Sequence, residues 1–237
     1  MNNPDKKVAI ITGASQGIGA GLLEAYRKLG YAVVGTSRTI AASQDPGVVT
    51  VQGDIADPAT AERVAAAAIE HYGRIDTLVN NAGVFFGMPF TEYTLEDYAQ
   101  ATGVNLAGFF RITQLAIEQM LKQGAGHVVG ITTTRVEHAI SASPSALAQL
   151  TKGGVHSVTK ALAIEYAARG IRVNAVSPGI IKTPMHAREK HEMLAGLHPV
   201  GRMGETDDIV NAVLYLENAP FVTGHTLHVD GGQSAGH

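Results

Sequence analysis

The sequence predicts one α/β domain over residues 1–237, a doubly wound parallel sheet of about seven strands with helices on its faces. Three observations carry that expectation. A strand, a glycine turn and a helix follow one another across residues 8–30. Short apolar runs then alternate with helix-length stretches through the rest of the chain, the order expected of strands joined by crossover helices. Finally, the 237 residues are 45% hydrophobic and 16% charged, which suits a large buried core and argues against disorder.

Val8 to Ile11 is long enough for a buried strand and too short for a helix. Thr12 and Gly13 break it, and Gly13 allows a sharp turn. Gly17 and Gly19 remove side chains where backbone would approach a pyrophosphate and where a helix would pack on the sheet. An amphipathic helix follows from Ala20 to Leu29, stopped by Gly30, and its N-terminal N–H groups would face the phosphates. The spacing is G-x-x-x-G-x-G, and glycines by themselves also mark a tight turn with no ligand. Tyr31 to Thr36 is the second strand. Ser37 and Arg38 follow it, with no acid before Asp45; a basic residue here accommodates a 2′-phosphate, so NADP(H) is the preferred cofactor and NAD(H) the alternative.

Residues 39–46 leave little room for a helix before the third strand, Val48 to Gln52. Asp57 with Pro58 starts a helix that runs from Ala59 to Tyr72. Ile75 to Val79 is the fourth strand. Thr94 to Gln123 reads as one long helix with Asn105 inside it, a poor interior residue that competes for backbone hydrogen bonds. Gly126 to Ile131 is the fifth strand, and Pro144 opens a helix that continues to about Arg169. Ile171 to Val176 is the sixth strand. A polar, histidine-containing stretch at 185–199, without strong periodicity, reads as the core of a mobile substrate lid around 183–200. Thr206 caps a helix to Glu217 with Asp207 and Asp208 in its first turn, and Thr226 to Val229 is the last strand.

The net charge is −3, which gives no electrostatic case for nucleic acid or an anionic membrane as partner. The absence of cysteine excludes disulfides and thiol catalysis. No signal-peptide apolar region and no run of membrane-spanning length is visible, so a cytoplasmic location is expected. The ten histidines lack metal-ligand spacing, and no metal is expected.

The stretch ThrGlyAlaSerGlnGlyIleGly at 12–19 resembles the cofactor fingerprint of the short-chain dehydrogenase/reductase family. Asp54, AsnAsnAlaGly at 80–83, Asn105, Lys152, ProGly at 178–179 and AspGlyGly at 230–232 follow in that family's order. The resemblance covers nearly the whole chain and implies a Rossmann-type fold. It places a dinucleotide against Gly13, Ser15, Gln16, Gly17, Ile18, Gly19, Ser37 and Arg38. Asp54 would bond the adenine amino group, beside Ile55. Asn81, Ala82 and Gly83 would meet the ribose. Pro178, Gly179, Ile181, Thr183 and Met185 would lie over the nicotinamide.

For catalysis the resemblance implies Asn105, holding a water in a proton relay, and Lys152, binding the nicotinamide ribose. Thr133 would stand where the family uses a serine to polarise the substrate carbonyl. The family's Tyr-x-x-x-Lys would need a tyrosine four residues before Lys152; that residue is Ala148. An NADP(H)-dependent oxidoreductase acting on a small carbonyl or imine substrate is expected. Its proton would come from a held water, from Thr133, or from a lid or loop histidine such as His138. A catalytically degenerate nucleotide-binding or scaffold protein is the alternative. The resemblance also implies a homotetramer or homodimer built through the helices at 94–123 and 144–169.

Overall fold

The computed structural model describes residues 6–141 and 143–236. Seven strands form one parallel sheet in the order β3-β2-β1-β4-β5-β6-β7. They are β1 (Val8–Thr12), β2 (Ala32–Ser37), β3 (Val48–Gln52), β4 (Thr77–Asn80), β5 (Gly126–Ile131), β6 (Ile171–Pro178) and β7 (Thr226–Val229). The helices are α1 (Gly17–Lys28), α2 (Pro58–Tyr72), α3 (Leu95–Thr102), α4 (Phe109–Gln123), α5 (Ala146–Tyr166), α6 (His191–Ala195) and α7 (Thr206–Glu217).

The period-2 alternation of a strand sorts its side chains onto two cores. Val8 and Ile10 of β1 pack with Val64, Ile112, Ala116 and Met120 under α2 and α4. Ala9 and Ile11 face the other way, toward Leu22 of α1 and Ile209, Val213 and Leu216 of α7. Ile10 is in register with Val34 on one side and Leu78 on the other. β1 is therefore central, and the winding direction reverses between β1 and β4. In such sheets ligands bind in the crevice outside the strand carboxyl ends at that reversal.

Several boundaries differ from the sequence reading. α1 begins at Gly17 and not Ala20, so the two glycines form its first turn. β4 starts at Thr77, because Ile75 and Asp76 serve as its lead-in; Asp76 turns its carboxylate to the Val8 N–H (2.8 Å). The long helix expected at 94–123 is broken by a π-helical turn at Gly103–Gly108. Thr94 caps the first part, with its Oγ1 accepting from Asp97 N–H. α5 starts at Ala146 and not Pro144, and ends at Tyr166 before a 3₁₀ turn. Glu205, not Thr206, is the cap of α7: the Glu205 N–H donates to the Asp208 carboxylate (2.8 Å). Segment 185–199 contains the short helix α6, where no regular element was expected. As anticipated, β2 runs to β3 without a helix, and Asp57 accepts from Ala59 N–H with Pro58 at N1.

Candidate active site

At the crevice, β1 ends in a turn whose shape depends on missing side chains. Gly13 and Gly17 adopt φ of 68° and 54°, the left-handed region that favours glycine. A Cβ on Gly19 would stand 2.1 Å from the Gly13 carbonyl oxygen, so α1 can approach the turn only without one. Thr12 and Asn81 fix the turn to the end of β4. Thr12 Oγ1 accepts from the Asn81 and Ala82 N–H groups (3.0 Å each), and Asn81 Nδ2 donates to the carbonyls of Thr12 (2.9 Å) and Gly13 (3.2 Å).

A cleft of about 690 Å³ opens over these strand ends. Gly13, Ser15, Gln16, Gly17 and Ile18 line it at the turn, and Ser37, Arg38, Asp54 and Ile55 at the ends of β2 and β3. Asn81, Ala82, Gly83, Ala148, Lys152 and Thr133 line its middle; Pro178, Gly179, Ile181, Thr183 and Met185 close it from the loop after β6. Of the sequence-predicted residues, Gly19 and Asn105 do not line it. Gly19 sits behind the turn. Asn105 is 2% exposed and lines a separate void of about 10 Å³, shared with Thr12, Asn80, Ile131 and Lys152. His138, the example named for a lid or loop histidine, does not line the cleft; among the described residues, His186 of the lid segment does.

Asn105 Nδ2 donates to Val84 O (3.0 Å) and Thr151 Oγ1 (3.0 Å), and its Oδ1 accepts from Val84 N–H (2.9 Å). The π turn thus places an amide that pins the chain just after Gly83. Lys152 Nζ donates to Ile131 O (2.8 Å), and burial brings its pKa down to about 8. Gly83 makes room for it: a Cβ there would lie 2.9 Å from Nζ. Thr133 Oγ1 accepts from Arg135 N–H (3.3 Å), which leaves the hydroxyl proton free to be donated. Ala148 is one helical turn before Lys152 and borders the same space. Among the described residues, no tyrosine lines the cleft.

Two residues escaped the sequence reading. Arg135 is 4% exposed yet borders the cleft; an arginine in a loop gives no sign that it will be buried. His198 is 3% exposed, accepts from Ile180 N–H at Nε2 (2.9 Å) and donates from Nδ1 to Leu194 O (3.0 Å). It joins α6 to the loop after β6, and burial lowers its pKa. Among the described residues, no cluster of three or more acidic, histidine or cysteine side chains could hold a metal, and no helix is long and apolar enough to cross a membrane.

A family model described as enoyl-(acyl carrier protein) reductase matches residues 13–234. The chain is 34% identical over 237 residues to L-xylulose reductase of Bos taurus, covering 94% of this chain and 95% of the relative. It is 34% identical over 241 residues to 3-oxoacyl-(acyl-carrier-protein) reductase FabG of Escherichia coli K12, covering 97% and 98%. Among solved structures, ElxO with NADP bound is similar with a TM-score of 0.90 and 30% identity, over 98% of this chain and 100% of that one. The 3-ketoacyl-(acyl-carrier-protein) reductase from Brucella melitensis complexed with NADH gives 0.89 at 32% identity, over 98% and 100%.

Proposed function

From the premise that this chain belongs to the short-chain dehydrogenase/reductase family, we propose that it is an NADP(H)-dependent oxidoreductase acting on a small carbonyl or imine substrate. One observation supports this most: a single cleft joins the glycine turn, the Lys152 ammonium and the Thr133 hydroxyl. The residues fit a dinucleotide. Gly13 and Gly17 line the cleft without side chains, a Cβ on Gly17 would stand 3.2 Å from Thr183, and Gly83 gives Lys152 room to reach a ribose. When bound, NADPH supplies the hydride.

The residues of the chain divide the remaining work. Arg38 is exposed at the cleft edge, where it would meet a 2′-phosphate. Asp54 would bond the adenine, while Ile181 and Thr183 would hold the nicotinamide carboxamide. Thr133 would donate a hydrogen bond from its free hydroxyl to the substrate oxygen, polarising the carbonyl. Ala148 stands where the family carries its catalytic tyrosine, so the site is atypical and the proton needs another source. The void bordered by Asn105 and Lys152 has room for one water. A water there could carry a proton outward from Lys152, whose pKa near 8 keeps it close to neutral-pH exchange. His186 is a second donor on the cleft wall. An iminium substrate would need no such acid, because its nitrogen already carries the charge.

The segment around 183–200 acts as the substrate lid in this reading, and the protein is cytoplasmic. Exposed Leu95, Tyr98, Phe110, Leu150 and Ile164 on α3, α4 and α5 supply apolar surface for a homodimer or homotetramer. NADPH oxidation against ketones, aldehydes and cyclic imines tests the reading. Turnover of at least one class is expected. Tight NADPH binding without turnover on any of them would favour the degenerate nucleotide-binding protein. Arg38→Ala is expected to shrink a preference for NADPH over NADH measured by calorimetry at one salt concentration; equal wild-type affinities would remove Arg38 from the site.

A further inference from the structure

Among the described residues, Arg135 is a buried cation without a counter-ion. It follows Thr133 by two residues in the 3₁₀ turn Thr134–Val136, at the carboxyl end of β5. Its Nη1 is buried and has no hydrogen-bond partner among the described residues. No ion pair is formed by its guanidinium among the described residues, and burial lowers its pKa with no carboxylate to oppose that. An unpaired buried charge is destabilising and does not persist in a core that gains nothing from it. The charges around the cleft point the same way. Arg38, Arg135, Lys152 and Lys190 line it, against the one carboxylate of Asp54. Asp54 follows β3, four strands from β5 in the sheet, so it lies roughly 19 Å along the sheet from Arg135's strand. The glycine turn after β1 is two strands away, which separates Arg135 from the phosphate cradle.

We propose that Arg135 is a specificity residue that binds a carboxylate of the substrate, so that the reacting ketone belongs to an oxo acid. This rests on the oxidoreductase reading and names the substrate class within it. Thr133 addresses the reacting oxygen, and the guanidinium two residues on takes the acid group through its planar fork. A free acid is required; the carboxyl carbon of an ester or thioester carries no charge for the fork to neutralise. A protonated imine without an acid group would be repelled by the same cation, which narrows the imine branch to imino acids.

The test compares 2-oxo and 4-oxo acids with their methyl esters in NADPH-oxidation assays of wild type and Arg135→Met. The wild type is expected to favour acid over ester by about 10–100-fold in kcat/KM, the scale of a charged hydrogen-bonded contact. In Arg135→Met that ratio falls to about one, while Arg135→Lys keeps part of it. Thermal unfolding is the second readout. Arg135→Met is expected to raise the midpoint, since it removes an unpaired buried charge, and a merely structural arginine would lower it. Sodium benzoate, added to the NADPH-bound protein, should raise the wild-type midpoint and leave that of Arg135→Met unmoved. Equal turnover of acids and esters by the wild type, or a ratio that survives Arg135→Met, overturns the subsite and leaves the oxidoreductase reading standing. Benzoate stabilisation that depends on Arg135, with no ketone or imine turned over, overturns the oxidoreductase reading and leaves the anion subsite standing.

Discussion

Ala148 and Lys152 share one face of α5 a turn apart, and both border the cleft. A tyrosine at 148 would project its hydroxyl toward the Thr133 side of that space, with the lysine charge favouring its ionisation. Ala148→Tyr is therefore expected to raise ketone reduction by about 10²-fold or more, the scale of a general acid. The measurement is kcat/KM on simple ketones; a folded, NADPH-binding variant with no gain would show that the site has diverged beyond one side chain. At this scale the sequence was uneven. Gly13 and Gly17 were legible because a tight turn and close backbone approach leave a trace in the residue string, and Gly83 and Lys152 stood out through the family resemblance. Arg135 and His198 were not, since their burial is decided by segments distant in sequence. His198 meets Ile180 across 18 residues, and nothing local announces that contact.

The π turn at Gly103–Gly108 inserts one extra residue into the helical ladder and so re-aims Asn105. Its amide then completes three hydrogen bonds, two of them to Val84. Asn105→Ala would leave the Val84 N–H and carbonyl unpaired in a partly buried position. A loss of about 1–3 kcal/mol in urea unfolding is expected, together with weaker NADPH binding, because Gly83 is anchored through Val84. Full stability in this variant would mean that the loop holds itself. The sequence signalled an irregularity here, since asparagine is out of place in a helix interior. It could not say that the irregularity would be a π turn, whose last residue, Gly108, packs closely on Ile55, far earlier in the chain. The reverse holds at residues 39–46, where plain shortness was enough to foresee a direct link between β2 and β3.

Across the whole molecule, the end of the sheet opposite the cleft is held by one buried carboxylate. Glu217 of α7 accepts from Tyr26 (3.1 Å), Tyr31 (2.8 Å), Thr77 (3.0 Å) and His127 Nδ1 (2.9 Å). The Asn174 amide faces His127 Nε2 at 3.2 Å, so that nitrogen accepts and the ring is neutral. Burial would push the Glu217 carboxyl up, but His127, Tyr31 and Thr77 outweigh it and hold it at about 2, below its ordinary 4.5. Burial likewise holds the His127 imidazole below its ordinary 6.5. Both groups are depressed by folding, so both contribute stability above their unfolded values. That stability is lost as pH falls, first below about 6.5 for His127 and then from 4.5 toward 2 for Glu217. Thermal midpoints across this range are expected to fall steadily in the wild type. Glu217→Gln should cost about 3 kcal/mol near pH 7 and give a flatter profile between 4.5 and 2. An unchanged slope would exclude Glu217 as the acid-sensitive group. The parallel sheet of about seven strands was legible from the strand runs and the glycine turn. This network was not, because its members lie on α1, α7, β4, β5 and the lead-in to β2, up to 191 residues apart.

The two-sided grip of His198 has a mechanical consequence. One ring is bonded to α6 through Leu194 and to the loop after β6 through Ile180, so neither segment can swing while the ring stays in place. A segment that opens while the ring holds must lie between those two bonds, in the stretch that includes Thr183–Ala187; Gly201, with φ of 74°, lies beyond the clamp. α6 is thereby tethered to the end of β6, and a lid that lifts α6 has first to break the ring's bond to Ile180 or to Leu194.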